Sequence, residues 1–236
     1  MYKENPKTKG SGIVCAIPQT GTCPNNCEDC FFQSGRSYLE PLVDNLPNMP
    51  EVSEFEIVRV NDGNDSNVDY TTVSIATKNY PHKFYNTAIP TIPNKTTPFV
   101  LTVNPGANTD KAIYYLTTAK NLMFVRFRTN TWNTTLADEC VRYYSEREIP
   151  IVLTFMAYYG ASIPEEHRDN YVFRKRTLNS YNAITTKAWR KIMQKYEDNK
   201  WVHSCGKIEG ELGDTHCRFC GNCLREYFAT IRRITM

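Results

Sequence analysis

The absences narrow the reading first. No stretch reaches the roughly 18 to 20 consecutive apolar residues of a membrane helix. The polar segment Met1 to Gly12 lacks the apolar core of a secretory signal. The chain is therefore expected to be soluble and cytoplasmic, with no membrane partner. An excess of one charge is also missing: 28 basic against 25 acidic residues leave a formal +3, too balanced to announce a nucleic acid or a membrane. There is no internal repeat or low-complexity tract. No lysine-bearing phosphate loop, nucleophile elbow or zinc-protease helix is found, so the chemistries those motifs carry have no support.

What is present is a globular composition, 41% hydrophobic and 12% aromatic over 236 residues, enough to bury a full core. Nine cysteines are the unusual feature. In a reducing compartment thiols seldom form structural disulfides and more often bind metal or do chemistry.

Strand-length apolar runs recur at Gly12 to Ile17, Phe55 to Val60, Phe84 to Ile89, Phe99 to Val103, Leu122 to Phe127 and Ile151 to Met156. Helix-like stretches lie between several of them: Asn67 to Asn79 with Asp65 and Ser66 as caps, Asp110 to Lys120 after Thr109, and Leu136 to Glu148 after Thr135, with Asp138 three residues on. Strands alternating with helices argue a parallel sheet. The segment Pro90 to Pro98 holds three prolines and is expected to lack an ordinary crossover helix. The expected fold is α/β, a partial (β/α)6 barrel of parallel strands with a small cysteine-rich C-terminal extension. It divides into a core at 1–160, a helical substrate-side extension at 161–200 and a tail at 201–236. Within the extension, Trp189, Ile192, Met193 and Tyr196 fall at helical spacing.

Cys23, Cys27 and Cys30 form a C-x3-C-x2-C pattern directly after the first strand. Three soft ligands in one loop suit an iron-sulfur cluster and would leave one iron of a four-iron cube open, a place for substrate or cofactor. This spacing and the strand order over 11–160 resemble the radical S-adenosylmethionine superfamily. Where that family often has an aromatic or apolar residue before the third cysteine, this chain has Asp29, with Phe31 and Phe32 following.

The resemblance implies an oxygen-sensitive enzyme of unspecified reaction outcome. A 4Fe-4S cluster on Cys23, Cys27 and Cys30 would bind S-adenosylmethionine, cleave it reductively and generate a 5'-deoxyadenosyl radical that takes hydrogen from an unidentified substrate. An electron donor such as flavodoxin or ferredoxin would be a partner. By strand position, the resemblance places cofactor contacts at Asn61 and Asp62 after the second strand, Asn104 after the fourth, and Arg128 or Asn130 after the fifth. A turn or capping role is the alternative for each.

Cys205, Cys217, Cys220 and Cys223 make a second set, C-x11-C-x2-C-x2-C. Four thiolates form a closed site, and overlapping C-x2-C steps favour a second 4Fe-4S cluster over zinc, with His203 and His216 keeping zinc open. Cys15 and Cys140 read as buried small hydrophobes, and His82 and His167 stand alone. The rival reading is a metal-knotted nucleic-acid-binding module without catalysis. In it Arg174 to Arg176 and Lys187 to Lys195 contact phosphates while Tyr171 or Trp189 stacks. A nucleic acid or nucleotide could also be what a basic C-terminal face presents to the enzyme.

Overall fold

The six Val-, Ile- and Phe-rich runs all become parallel strands: β1 (Ile13–Ala16), β2 (Ile57–Val60), β3 (Lys83–Thr87), β4 (Phe99–Val103), β5 (Leu122–Thr129) and β6 (Ile151–Phe155). The structure, a computed structural model, describes residues 1–27, 30, 32, 37–92, 94–105, 119–175, 180–207 and 216–236. Two short strands, β7 (Tyr171–Arg174) and β8 (Tyr181–Ile184), form a separate antiparallel hairpin. The last strand, β9 (Val202–Cys205), returns to pair in parallel with β6. The sheet order is thus β1-β2-β3-β4-β5-β6-β9, a curled half-barrel with one strand more than the six expected. The four residues of β9 are too few and too polar to announce a strand; the free edge of β6 makes them one.

Strand alternation gives the sheet two faces. Val58, Val60, Tyr85, Leu101, Val125, Phe127 and Leu153 share one core with the helices α2 (Thr134–Ser145) and α3 (Thr186–Gln194), which is the outer face of the half-barrel. Ile13, Ile57, Phe84, Val100, Phe124 and Val152 face the other way and meet Tyr227, Leu224 and Ile231 of α5 (Asn222–Thr235). The C-terminal helix therefore covers the concave face. It runs along the N-terminal ends of the strands, with Leu224 against Gly12, the Tyr227 hydroxyl 3.5 Å from His82 Nδ1, and Arg233 donating to the Leu122 carbonyl at 2.6 Å.

The helix between β2 and β3, α1 (Tyr70–Ala76), is shorter than expected, and its cap is Asp69 rather than Asp65 or Ser66. Asp69 accepts from the Thr72 amide at 3.1 Å, while Asp65 is drawn into the site below. Helix α2 starts at Thr134, and Asp138 is engaged by Lys195 and Tyr196 from beyond α3, not by its own cap. No helix joins β3 to β4 among the described residues. The expected helix at 110–120 lies outside the described residues for nearly all its length, as do Asp29, Phe31, Pro93 and Arg176. No described helix is long and apolar enough to cross a membrane.

Candidate metal and cofactor site

The first cysteine loop leaves the C-terminal end of β1. Asn26, at φ 42, turns the chain between Cys23 and Cys27, and the Cys30 amide donates to the Cys27 carbonyl at 3.1 Å. The loop is pinned to the turn after β2 by three hydrogen bonds: Asn25 Nδ2 to Asp65 Oδ2 at 2.8 Å, Gln19 Nε2 to the Asp65 carbonyl at 3.0 Å, and Asn64 Nδ2 to the Gly21 carbonyl at 3.0 Å. Asp65, only 3% exposed, also accepts from Thr87 Oγ1 at 2.7 Å and from the amides of Asn67 at 2.8 Å and Ala88 at 2.6 Å. One buried carboxylate thus ties the cysteine loop to the ends of β2 and β3. Phe32 packs against Gly63, where an added Cβ would stand 2.1 Å from its ring.

Burial pushes the Cys23 thiol up to about 11, with Asp65, Cys27 and Cys30 adding to the rise. Burial raises Cys27 too, opposed by the Asn104 amide, which donates to its sulfur at 3.7 Å, and by the charge of Arg128. Burial thus favours the neutral thiol at Cys23 and Cys27, and a soft cation bound there would deprotonate its ligands.

Of the expected cofactor contacts, Asn104 and Arg128 thus stand beside Cys27. Arg128, 5% exposed, donates to the Pro105 carbonyl at 2.9 Å. Asp62 is held through Oδ2 by Arg59 at 3.2 Å and Asn5 at 2.7 Å, while its Oδ1 is buried without a partner. Asn61 sits at φ 63, donates to Ser66 Oγ at 3.1 Å and leaves Oδ1 buried and unpartnered. Asn130 braces the turn into α2, its Oδ1 accepting from the Trp132 and Asn133 amides at 3.0 and 2.8 Å. Sequence reasoning missed Asp65 and Asn86. Asn86 shares the concave face with Phe84, is 4% exposed, and leaves both amide atoms unpartnered among the described residues. Its only signal was a polar residue inside an apolar strand.

The second set lies where the two sheet edges approach. Cys205 ends β9, Cys217 and Cys220 open and close the one-turn helix α4 (Cys217–Cys220), and Cys223 is in the first turn of α5. Gly206 (φ 79) and Gly221 (φ 62) make the bends between them. A Cβ on Gly206 would stand 2.3 Å from the Phe155 carbonyl oxygen. The Cys205 thiol hydrogen-bonds the Cys220 sulfur, which raises Cys205 and lowers Cys220; burial pushes Cys223 up to about 11, opposed by Arg126 and Arg59. All four sulfurs interact electrostatically within this group. Burial, then the charge of Arg225, presses His203 down to about 4, which leaves a neutral imidazole near neutral pH. Cys15 and Cys140 are fully buried, in keeping with packing roles.

Both sets address one concave face. Arg126 lies near Cys205 and Cys223, and Arg128, two residues further along β5 and about 7 Å on, lies near Cys27. Among the described residues, no three His, Cys, Asp or Glu side chains already stand in metal-holding geometry. No protein-family model, curated protein or solved structure matches this chain. The curled parallel half-barrel with its cysteines fits a radical S-adenosylmethionine fold.

Proposed function

We propose that the chain is a radical S-adenosylmethionine enzyme with a second iron-sulfur centre. Cys23, Cys27 and Cys30 would hold a 4Fe-4S cluster with one iron left for S-adenosylmethionine, and Cys205, Cys217, Cys220 and Cys223 would hold the second cluster. When bound and given one electron by a flavodoxin- or ferredoxin-like donor, such a cluster would supply reductive cleavage of S-adenosylmethionine to methionine and a 5'-deoxyadenosyl radical able to take a hydrogen atom from a substrate.

The observation that carries this reading is the row of orphaned amide atoms beside the cysteine loop. Asn61 Oδ1, Asn86 Oδ1 and Asn86 Nδ2 are buried at the C-terminal ends of β2 and β3 with no partner among the described residues. Each such atom costs about 1 to 3 kcal/mol when left unpaired, so a fold that keeps three of them together is suited to a polar ligand. The oxygens would accept from an ammonium, and the Asn86 amide nitrogen would donate to a carboxylate or ribose oxygen. Asn104 keeps a donor on the Cys27 sulfur, and Arg128 places a fixed cation near the same residue. On the concave face, α5 seals the opposite end from water.

The test is anaerobic reconstitution followed by iron analysis and assay of 5'-deoxyadenosine release on reduction. Two clusters require about eight irons per chain. Cys27→Ala should abolish release while the second site stays loaded, and Asn86→Leu should weaken S-adenosylmethionine binding by tenfold or more. Release that survives Cys27→Ala would sink the catalytic assignment. About four irons with zinc as the balance would remove only the second iron-sulfur centre.

A further inference from the structure

Four rings pack together just past the C-terminal ends of β5 and β6. Trp132 meets Tyr158 at 5.0 Å and lies 5.7 Å from both His167 and Tyr171, and Tyr158 meets Tyr171 edge-on at 5.7 Å. The group is braced from several elements. The Thr131 amide donates to the Tyr171 hydroxyl at 3.3 Å, Asn130 Nδ2 donates to the Tyr158 hydroxyl at 3.1 Å, and the backbones of Tyr158 and Asn182 exchange bonds of 2.9 and 2.7 Å. The rings are therefore a preorganised wall and not a loose surface patch.

Beside Tyr171, the one ring of the wall that lines it, opens a cavity of about 280 Å³ whose other lining residues are Ile163, Arg168 and Asn182. Arg168 is exposed at its rim, and no carboxylate forms an ion pair with it among the described residues, although Glu165, Glu166 and Asp169 share its turn. The Tyr171 phenol is held neutral by burial, so it offers a ring face and no charge. The cavity stands at the same C-terminal end of the sheet as the first cysteine loop, and its Tyr171 accepts from the amide of Thr131, the residue after Asn130.

We infer that this cavity is the substrate pocket, and that its ligand is a small molecule with a planar ring and one anionic group. Tyr171 and Ile163 supply the flat apolar surface that a ring desolvates, Arg168 supplies the formal charge among the described lining residues, and the Asn182 amide supplies orientation. The volume lies at the small end of metabolite sites, near 300 Å³, which suits a nucleotide or an aromatic acid and excludes a polymer lying within it. The assignment as substrate pocket rests on the proposed radical chemistry; the binding chemistry does not.

The experiment is calorimetric titration of the anaerobic full-length protein in two arms. One uses guanosine 5'-monophosphate against guanosine and ribose 5-phosphate; the other uses 4-hydroxybenzoate against phenol and acetate. In at least one arm the ring-bearing anion is expected to bind tenfold or more tighter than either control, and that arm names phosphate or carboxylate as the anion. Arg168→Gln should remove the advantage over the uncharged ring, and Tyr171→Leu the advantage over the ringless anion, with far-UV circular dichroism and iron content unchanged. Absence of ring-anion preference in both arms, or a preference untouched by Arg168→Gln, overturns the pocket. Binding in a chain that releases no 5'-deoxyadenosine keeps the pocket and overturns the radical reading; release without binding does the reverse.

Discussion

Asp65 concentrates more of the candidate site than any cysteine does. Its carboxylate collects side-chain donors from the cysteine loop and from β3, and backbone donors from the chain after β2 and β3. An asparagine of the same shape would turn an amine toward some of those donors. Asp65→Asn should therefore cost about 1 to 3 kcal/mol in denaturant unfolding. It should also release iron from the first site while leaving about four irons on the second. Unchanged iron content in a stably folded Asp65→Asn protein would show that the carboxylate does not position the loop. Gly63 acts at the same scale through space: any side chain there meets the Phe32 ring, so Gly63→Ala should displace Phe32 and lower first-site loading without melting the sheet.

Among elements, α3 and β9 depend on each other. Thr185 caps α3 by accepting from the Ala188 amide at 3.2 Å, and Trp189 on its buried side donates from Nε1 to Ser204 Oγ of β9 at 2.9 Å. Thr185→Ala should lower stability by about 1 kcal/mol, read as a shifted denaturant midpoint with an unchanged slope. Beyond β9 the chain must bend within one residue. Gly206→Ala would demand both a left-handed backbone, costing roughly 1 to 2 kcal/mol, and displacement of the Phe155 carbonyl. Because Cys205 is the preceding residue, metal content at the second site should fall more steeply than global stability.

At the scale of the molecule, the open seam between β1 and β9 is the feature that the second cysteine set answers. Edge strands leave unpaired backbone groups, and a closed barrel has none. Here the Cys217 amide donates to the Lys7 carbonyl at 2.8 Å on the β1 side, while Asn222 Nδ2 donates to the Ser204 carbonyl at 2.8 Å on the β9 side. A centre joining Cys205 to Cys217, Cys220 and Cys223 would bridge these edges, and its binding energy would count as folding energy. Cys205→Ala should therefore raise hydrogen exchange in two places distant in sequence, residues 1–16 and residues 201–207. A rise confined to the C-terminal residues would mean that the site organises only its own tail.

The sequence alone determined the strand pattern, because Val, Ile and Phe runs bounded by proline and asparagine need nothing remote to declare themselves. It showed the grouping of Cys23, Cys27 and Cys30 and of Cys217, Cys220 and Cys223 for the same reason, since spacing along the chain is a local property. Tertiary structure decided what depends on distant partners. It made a strand of Val202–Cys205 by offering the edge of β6, turned Asp65 from a helix cap into the tie of the cysteine loop, and laid α5 across the concave face. It also left Asn86 unpartnered among apolar strands and gathered Trp132, Tyr158, His167 and Tyr171 from four segments. A residue's burial and its free hydrogen-bonding groups are set by whatever the rest of the chain brings to it, and no local pattern carries that information.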